Sequence, residues 1–223
     1  MRSLSQSLQK RPFSSGIASV KAKIIAGVRC GVWHCTETIE QLAEYMPNGD
    51  SLLKDAYDRF KSPSRQLEWI AVRTLLYFML GERARIGYNP NGAPVLEGME
   101  CHISISHTGK YVCIALSDKD RVGVDVERYV NKVERVRSRF LGDDEKADSL
   151  EQLLTLWSAK EAVFKLIQKE GVDFKRNLRS FPFDQDVRGC FRMAYEAEDE
   201  YLDCIVAYEM HEEFVLTIAK FAC

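Results

Sequence analysis

Across 223 residues the chain carries 31 basic against 33 acidic side chains, a formal net charge of -2, with 46% hydrophobic residues. A chain of this size buries roughly 70% of its unfolded surface, so it needs neither disulfides nor a structural metal to fold. The near-even charge balance gives no general reason to expect nucleic acid, yet leaves room for a local basic patch against an anionic small molecule. The cysteines at 30, 35, 101, 113, 190, 204 and 223 form no CxxC pair and leave one over in any pairing, the pattern of reduced, mostly buried thiols in a cytoplasmic protein. Residues 1–19 are polar and Ser-rich and are expected to be flexible. Met1 to Gln6 has no long apolar stretch and Leu75 to Leu80 is too short to span a bilayer, so neither export nor membrane residence is expected.

In chain order, Val28 to Cys35 reads as a first strand and Thr36 to Tyr45 as a helix ending before the turn Pro47-Asn48-Gly49. Ser51 to Phe60 makes a short helix. Ser64 to Leu80 makes a long one, with Leu67, Ile70, Ala71, Leu75, Phe78 and Met79 on a wide apolar side, Ser64 as its cap and Gly81 at its end. Tyr88 to Pro94 reads as loop. His102 to Ser106 and Tyr111 to Leu116 read as strands joined by His107-Thr108-Gly109-Lys110, and Arg121 to Glu127 as the next strand. Val133 to Arg139 and Ser149 to Gln168 read as helices, the second closed by Gly171. Phe191 to Ala194, Tyr201 to Tyr208 and Phe214 to Ala219 then complete an antiparallel sheet.

Superposing Trp69 on Trp157 pairs Ala71 with Ala159, Leu75 with Val163 and Leu76 with Phe164. Two similar α+β halves packed through their sheets would produce this repeat, as would chance likeness between two amphipathic helices. A cleft between such halves is the natural ligand site.

The chemistry concentrates in two segments. Asp125 and Glu127, two apart on a strand, leave one face while Val124 and Val126 leave the other. Trp157, Glu161 and Lys165 share a helix face at i,i+4 spacing. Three converging carboxylates would suit a hard oxygen-seeking cation such as magnesium, with Lys165 beside them for phosphate. The plainer readings are a solvated strand face and an ordinary helix ion pair worth about 0.3 kcal/mol. Ser106-His107-Thr108-Gly109 offers hydroxyls, an imidazole and close backbone approach for a phosphate. Adjacent strand residues face opposite ways, which argues against Ser106 and His107 as a nucleophile and base. His34, His102, His107 and His211 have no zinc-like spacing.

Asn91-Gly92-Ala93-Pro94, Ile103-Ser104-Ile105-Ser106-His107-Thr108-Gly109, Gly123-Val124-Asp125-Val126-Glu127 and the run from Trp157 to Lys165 resemble, in order and spacing, the 4'-phosphopantetheinyl transferases of the surfactin-synthetase-activating, double-domain type. The resemblance covers residues 59 to 171. It implies an α+β pseudo-dimer of two similar halves, each a long helix on a mainly antiparallel sheet: residues 20–110, and residues 111–220 carrying the metal site. It implies a monomer with coenzyme A between the halves and Mg2+ as cofactor. The implied reaction moves the phosphopantetheine arm to a serine of an apo acyl or peptidyl carrier protein, a holo-acyl-carrier-protein synthase activity that releases adenosine 3',5'-bisphosphate. A coenzyme A or carrier-binding module without transfer is the alternative. The resemblance further implies Asp125, Glu127 and Glu161 as metal ligands, Glu161 also as base, and Lys165 at the pyrophosphate. It assigns Ser106 and His107 to the 3'-phosphate and Lys160 to the coenzyme. Ala93 stands where that family often has a basic residue, for which Arg59 or Arg73 would compensate. The basic series Arg128, Lys132, Arg135, Arg137 and Arg139 is expected to receive an acidic carrier.

Overall fold

The computed structural model describes residues 20–81, 84–130 and 132–222. Residues 1–19, expected to be flexible, and Cys223 lie outside them. Strands Val20–Ile25 (β1) and Val28–His34 (β2) form an opening hairpin. Three helices follow: Ile39–Glu44 (α1), Gly49–Arg59 (α2) and Pro63–Leu80 (α3). Thr38 and Gln41 make a reciprocal capping box, which starts α1 at Ile39 rather than at Thr36. The expected cap of the long helix, Ser64, is displaced: Pro63 occupies the first turn, Ser62 takes the N-cap position, and the two serine hydroxyls bond each other at 2.9 Å.

The expected loop from Tyr88 to Pro94 is the tip of a small hairpin, Ile86–Tyr88 (β3) with Pro94–Leu96 (β4), in which Tyr88 pairs with Pro94. Proline fits there because it opens its strand and owes no N–H to an inner ladder. His102–Thr108 (β5) and Tyr111–Ser117 (β6) pair around Gly109-Lys110, so His107 belongs to the strand and not to the turn. Gly123–Arg128 (β7) leads into Lys132–Phe140 (α4) and Leu150–Ile167 (α5). Gln168, left-handed at φ 56, closes α5 three residues before Gly171. The chain ends in Leu178–Ser180 (β8), Arg188–Ala197 (β9), Glu200–Met210 (β10) and Phe214–Phe221 (β11).

The architecture is mixed α+β with antiparallel sheets. One sheet runs β1-β2-β6-β5 and the other β7-β11-β10-β9-β8. In each, the last strand of its half (β6, β11) lies between the strand that precedes the helices (β2, β7) and the strand before it (β5, β10). Each sheet has one 18-residue helix packed against it, α3 or α5. The opposite faces meet in a shared core of Val28, Cys30, Val32, Cys113, Val124, Val126, Leu216 and Ile218. The expected division at 110/111 would cut the β5–β6 hairpin, whose ladder crosses it. Sheet pairing changes instead between Ser117 and Gly123. The described cysteines are free thiols, buried except for Cys190.

Candidate active site

Strand β7 sends Val124 and Val126 into the core between the sheets, so Asp125 and Glu127 leave it on the side of α5. The helix approaches without a spacer. A Cβ placed on Gly123 would lie 1.8 Å from the carbonyl oxygen of Ala162, so only glycine lets the α5 backbone settle there. That contact brings the face carrying Trp157, Glu161 and Lys165 over the strand carboxylates.

Asp125 is 4% exposed. Its Oδ1 accepts from Lys165 Nζ at 2.8 Å and from Ser106 Oγ at 2.8 Å, whereas its buried Oδ2 has no hydrogen-bond partner among the described residues. Lys165 also donates to the Val124 carbonyl at 3.0 Å. Glu127 Oε1 accepts from Trp157 Nε1 at 2.9 Å, and burial followed by the charge of Asp125 raises its pKa. Burial, then Asp125, push the Glu161 carboxyl up to about 7; Lys165 opposes the rise and Glu127 adds to it. Repelling carboxylates held out of water are thus only partly offset by one ammonium.

Other expected residues lie differently. Lys160, expected at the coenzyme, is fully buried on another side of α5 and donates to Glu145 Oε2 at 2.5 Å, Phe140 O at 2.6 Å and Phe174 O at 3.1 Å. All three of its protons are spent inside the protein, which leaves none for a ligand. The Ser106 hydroxyl is likewise committed to Asp125. His107, on the opposite face of β5, has Nε2 3.6 Å from Glu68 Oε2, and Glu68 is also bonded to Arg65 at 3.2 Å. Burial is the main cause that lowers the His107 pKa, with Glu68 opposing it. Arg73 stacks 3.5 Å over the Trp69 ring and donates to the Trp69 carbonyl, while Arg59 lies 5.7 Å from the same ring. The structure therefore groups Asp125, Glu127, Glu161, Lys165 and Ser106, and gathers Arg59 and Arg73 around Trp69.

A cleft of about 330 Å³ opens beside Lys165, lined by Asn91, Ala93, Ile103, Phe164 and Lys169. Asn91 Nδ2 reaches the Gln168 carbonyl at 3.2 Å, fastening the β3–β4 tip to the end of α5. Lys169, absent from the sequence reading, brings a cation to this cleft and pairs with Glu200. Trp157 as a donor to Glu127 was also missed, although its place four residues before Glu161 put it on the right face.

Among the described residues no group of three or more His, Cys, Asp and Glu side chains is arranged as a metal site. Chemically the donors still suit a hard divalent cation: they are carboxylate oxygens, Asp125 Oδ2 is buried and unpaired, and Glu127 and Glu161 both resist ionising together.

One buried and two half-buried carboxylates, with an adjoining ammonium that lines a cleft in an α+β fold, are groups suited to holding an anion. Residues 121–219, which hold Asp125, Glu127, Glu161 and Lys165, match the family model of the 4'-phosphopantetheinyl transferase superfamily. The chain is also similar to the 4'-phosphopantetheinyl transferase AcpT of Escherichia coli (strain K12), 30% identical over 117 residues that cover 45% of this chain. That alignment spans 57% of the relative's length. No helix among the described residues is long and apolar enough to cross a membrane.

Proposed function

We propose that the chain transfers the 4'-phosphopantetheine group of coenzyme A to a serine of an apo carrier protein and releases adenosine 3',5'-bisphosphate. The observation that carries this is the set of Asp125, Glu127, Glu161 and Lys165 inside the segment matched to the transferase superfamily. In the reaction the carrier serine oxygen bonds the phosphorus that bears pantetheine. The bond from that phosphorus to the bridging oxygen breaks, and the bridging oxygen leaves with its electron pair on the adenosine bisphosphate. Glu161, poised near neutrality, takes the serine proton. Lys165 neutralises charge that builds on the pyrophosphate oxygens, in a setting where Trp157 and Ser106 already fix the neighbouring carboxylates. Mg2+ held by Asp125, Glu127 and Glu161 would add further charge neutralisation.

On the same reading the two sheets with their helices form a pseudo-dimer of the double-domain type, working as a monomer in the cytoplasm. Coenzyme A lies in the cleft between them with its 3'-phosphate near His107. The exposed Lys132, Arg135, Arg137 and Arg139 of α4, next to Arg128, receive an acidic acyl or peptidyl carrier. The second reading, a coenzyme or carrier-binding module without transfer, is favoured by the Lys165 ammonium lying on Asp125 Oδ1 in place of a closed metal arrangement.

Incubation with coenzyme A, magnesium and apo carrier proteins, read by intact mass, separates the two. Transfer adds one phosphopantetheine to the carrier, and Asp125→Ala removes at least about 99% of the rate. Binding of coenzyme A without any mass gain on acyl or peptidyl carriers would leave the second reading.

A further inference from the structure

Strand β7 is an edge strand, and its outer rim is met by side chains of β5 instead of another backbone. Ser104 Oγ accepts from Val124 N at 3.0 Å and Ser106 Oγ accepts from Val126 N at 3.3 Å. Both serines are buried, at 3% and 5% exposure. They differ in one respect: Ser106 has a further bond, donating its proton to Asp125 Oδ1 at 2.8 Å, and for Ser104 the bond from Val124 is the one at the rim.

Lys165 approaches the same Oδ1. Two donors from different elements, one from the first sheet and one from α5, thus fill one carboxylate oxygen and fix the plane of the group. The other oxygen, Oδ2, is left buried and without a partner among the described residues. A carboxylate anchored in this way has lost the freedom to swing, so the entropy of ordering it is settled before any cation arrives.

We propose that Ser106 is a positioning residue for Asp125, fixing the carboxylate so that Oδ2 faces a divalent cation, and is not a contact for a coenzyme phosphate. The inference rests on the proposed reading of the carboxylates as a cation site. It makes that site a joint product of both sheets: the ligand comes from β7 and its orienting hydroxyl from β5.

Mn2+ binding to the full chain, followed by the loss of the free-ion electron paramagnetic resonance signal, tests this without turnover. Ser106→Ala weakens Mn2+ by about tenfold, the scale of removing a partner that orients a metal ligand. Ser104→Ala removes a comparable rim bond and stays within about twofold of the parent chain. At saturating metal, the KM for coenzyme A of Ser106→Ala stays within about twofold, while transfer at limiting metal falls. The isosteric pair Ser106→Thr and Ser106→Val isolates the hydroxyl at constant volume, and it decides the matter if the alanine variant fails to fold: threonine keeps the affinity and valine loses it. Equal losses in Ser104→Ala and Ser106→Ala would reduce the hydroxyl to a joint between sheets and overturn the proposal. Unchanged Mn2+ binding with a raised KM for coenzyme A, but not for 3'-dephospho-coenzyme A, would overturn it in favour of a phosphate contact. A parent chain that binds no Mn2+ would overturn the cation site itself, and this inference with it.

Discussion

Lys160 and Glu145 form an ion pair with side chains 0% and 1% exposed, and the glutamate also accepts from Gly142 N and Ser180 N. The pair therefore ties α5 to the segment after α4 and to β8. Lys160→Met strands a buried carboxylate and lowers stability by about 3–5 kcal/mol in urea unfolding. Lys160→Met combined with Glu145→Gln recovers part of that loss, because the neutral amide no longer needs a counter-charge. A Lys160→Met chain of parental stability with weakened coenzyme A binding would return Lys160 to the ligand.

Gly123→Ala places a methyl group into the α5 backbone at Ala162, which has no rotamer with which to yield. The helix must lift, at a cost of about 3 kcal/mol, and Lys165 is drawn off Asp125. Thermal unfolding and transfer should both fall. A substitution that leaves both unchanged would show that the strand–helix contact is looser than the geometry indicates.

The half-buried Glu161 carboxyl makes the metal-free protein sensitive to pH. Its pKa is raised in the folded state from 4.5 to about 7, so its stabilising contribution is complete below the unfolded value and is lost as pH rises through about 7. Glu161→Gln removes this dependence. The variant should match the parent below pH 4.5 and exceed it by roughly 2–6 °C in Tm at pH 8 without divalent ions. Added Mg2+ should narrow the gap by stabilising the parent only. Parallel Tm curves across this range would contradict the burial of a chargeable group there.

His107 is expected to discriminate the 3'-phosphate. His107→Ala weakens coenzyme A by about ten- to hundredfold and 3'-dephospho-coenzyme A by far less, as measured by calorimetry, the scale of one hydrogen bond to a charged group. Because burial lowers its pKa, coenzyme A binding should tighten as pH falls and the imidazole takes up its proton. Equal losses for both ligands would assign His107 to the contact with Glu68 alone.

Carrier recognition by α4 is tested through charge. Arg135→Glu with Arg139→Glu raises the KM for an acidic carrier by about tenfold at low salt and flattens its salt dependence, with coenzyme A binding unaffected. An unchanged carrier KM at low and moderate salt would move the docking surface to another face.

The strand carboxylates and the helix pair were legible because both depend on local periods: two residues for Asp125 and Glu127, four for Glu161 and Lys165. The setting of Lys160 was not legible because it sits beside Glu161 in sequence but about 100° around the helix, where it pairs with Glu145, fifteen residues away. Ser106 shows the same limit. Its place on a strand was readable, but an edge-to-edge meeting with β7 was not. Strands β1 and β8 escaped notice: the alternation of Val20, Ala22 and Ile24 with Lys21 and Lys23 is only one short stretch next to the polar residues 1–19, and the second strand is three residues long. The division expected at residue 110 came from the repeat and the family resemblance, neither of which carries the β5–β6 ladder that joins that hairpin to the first sheet.

The two serine rungs along β7 also protect the molecule from itself. An uncovered edge strand presents a row of amide donors to any other chain with a free edge, the usual route to aggregation. Here the amides of Val124 and Val126 are already taken by hydroxyls, which cannot extend into a further strand. A C-terminal half produced without β5 would keep its own helix and sheet but bare this edge along with two valines of the central core. Such a fragment would be a self-associating species, and β5 acts as the guard that keeps the β7 edge from templating another chain.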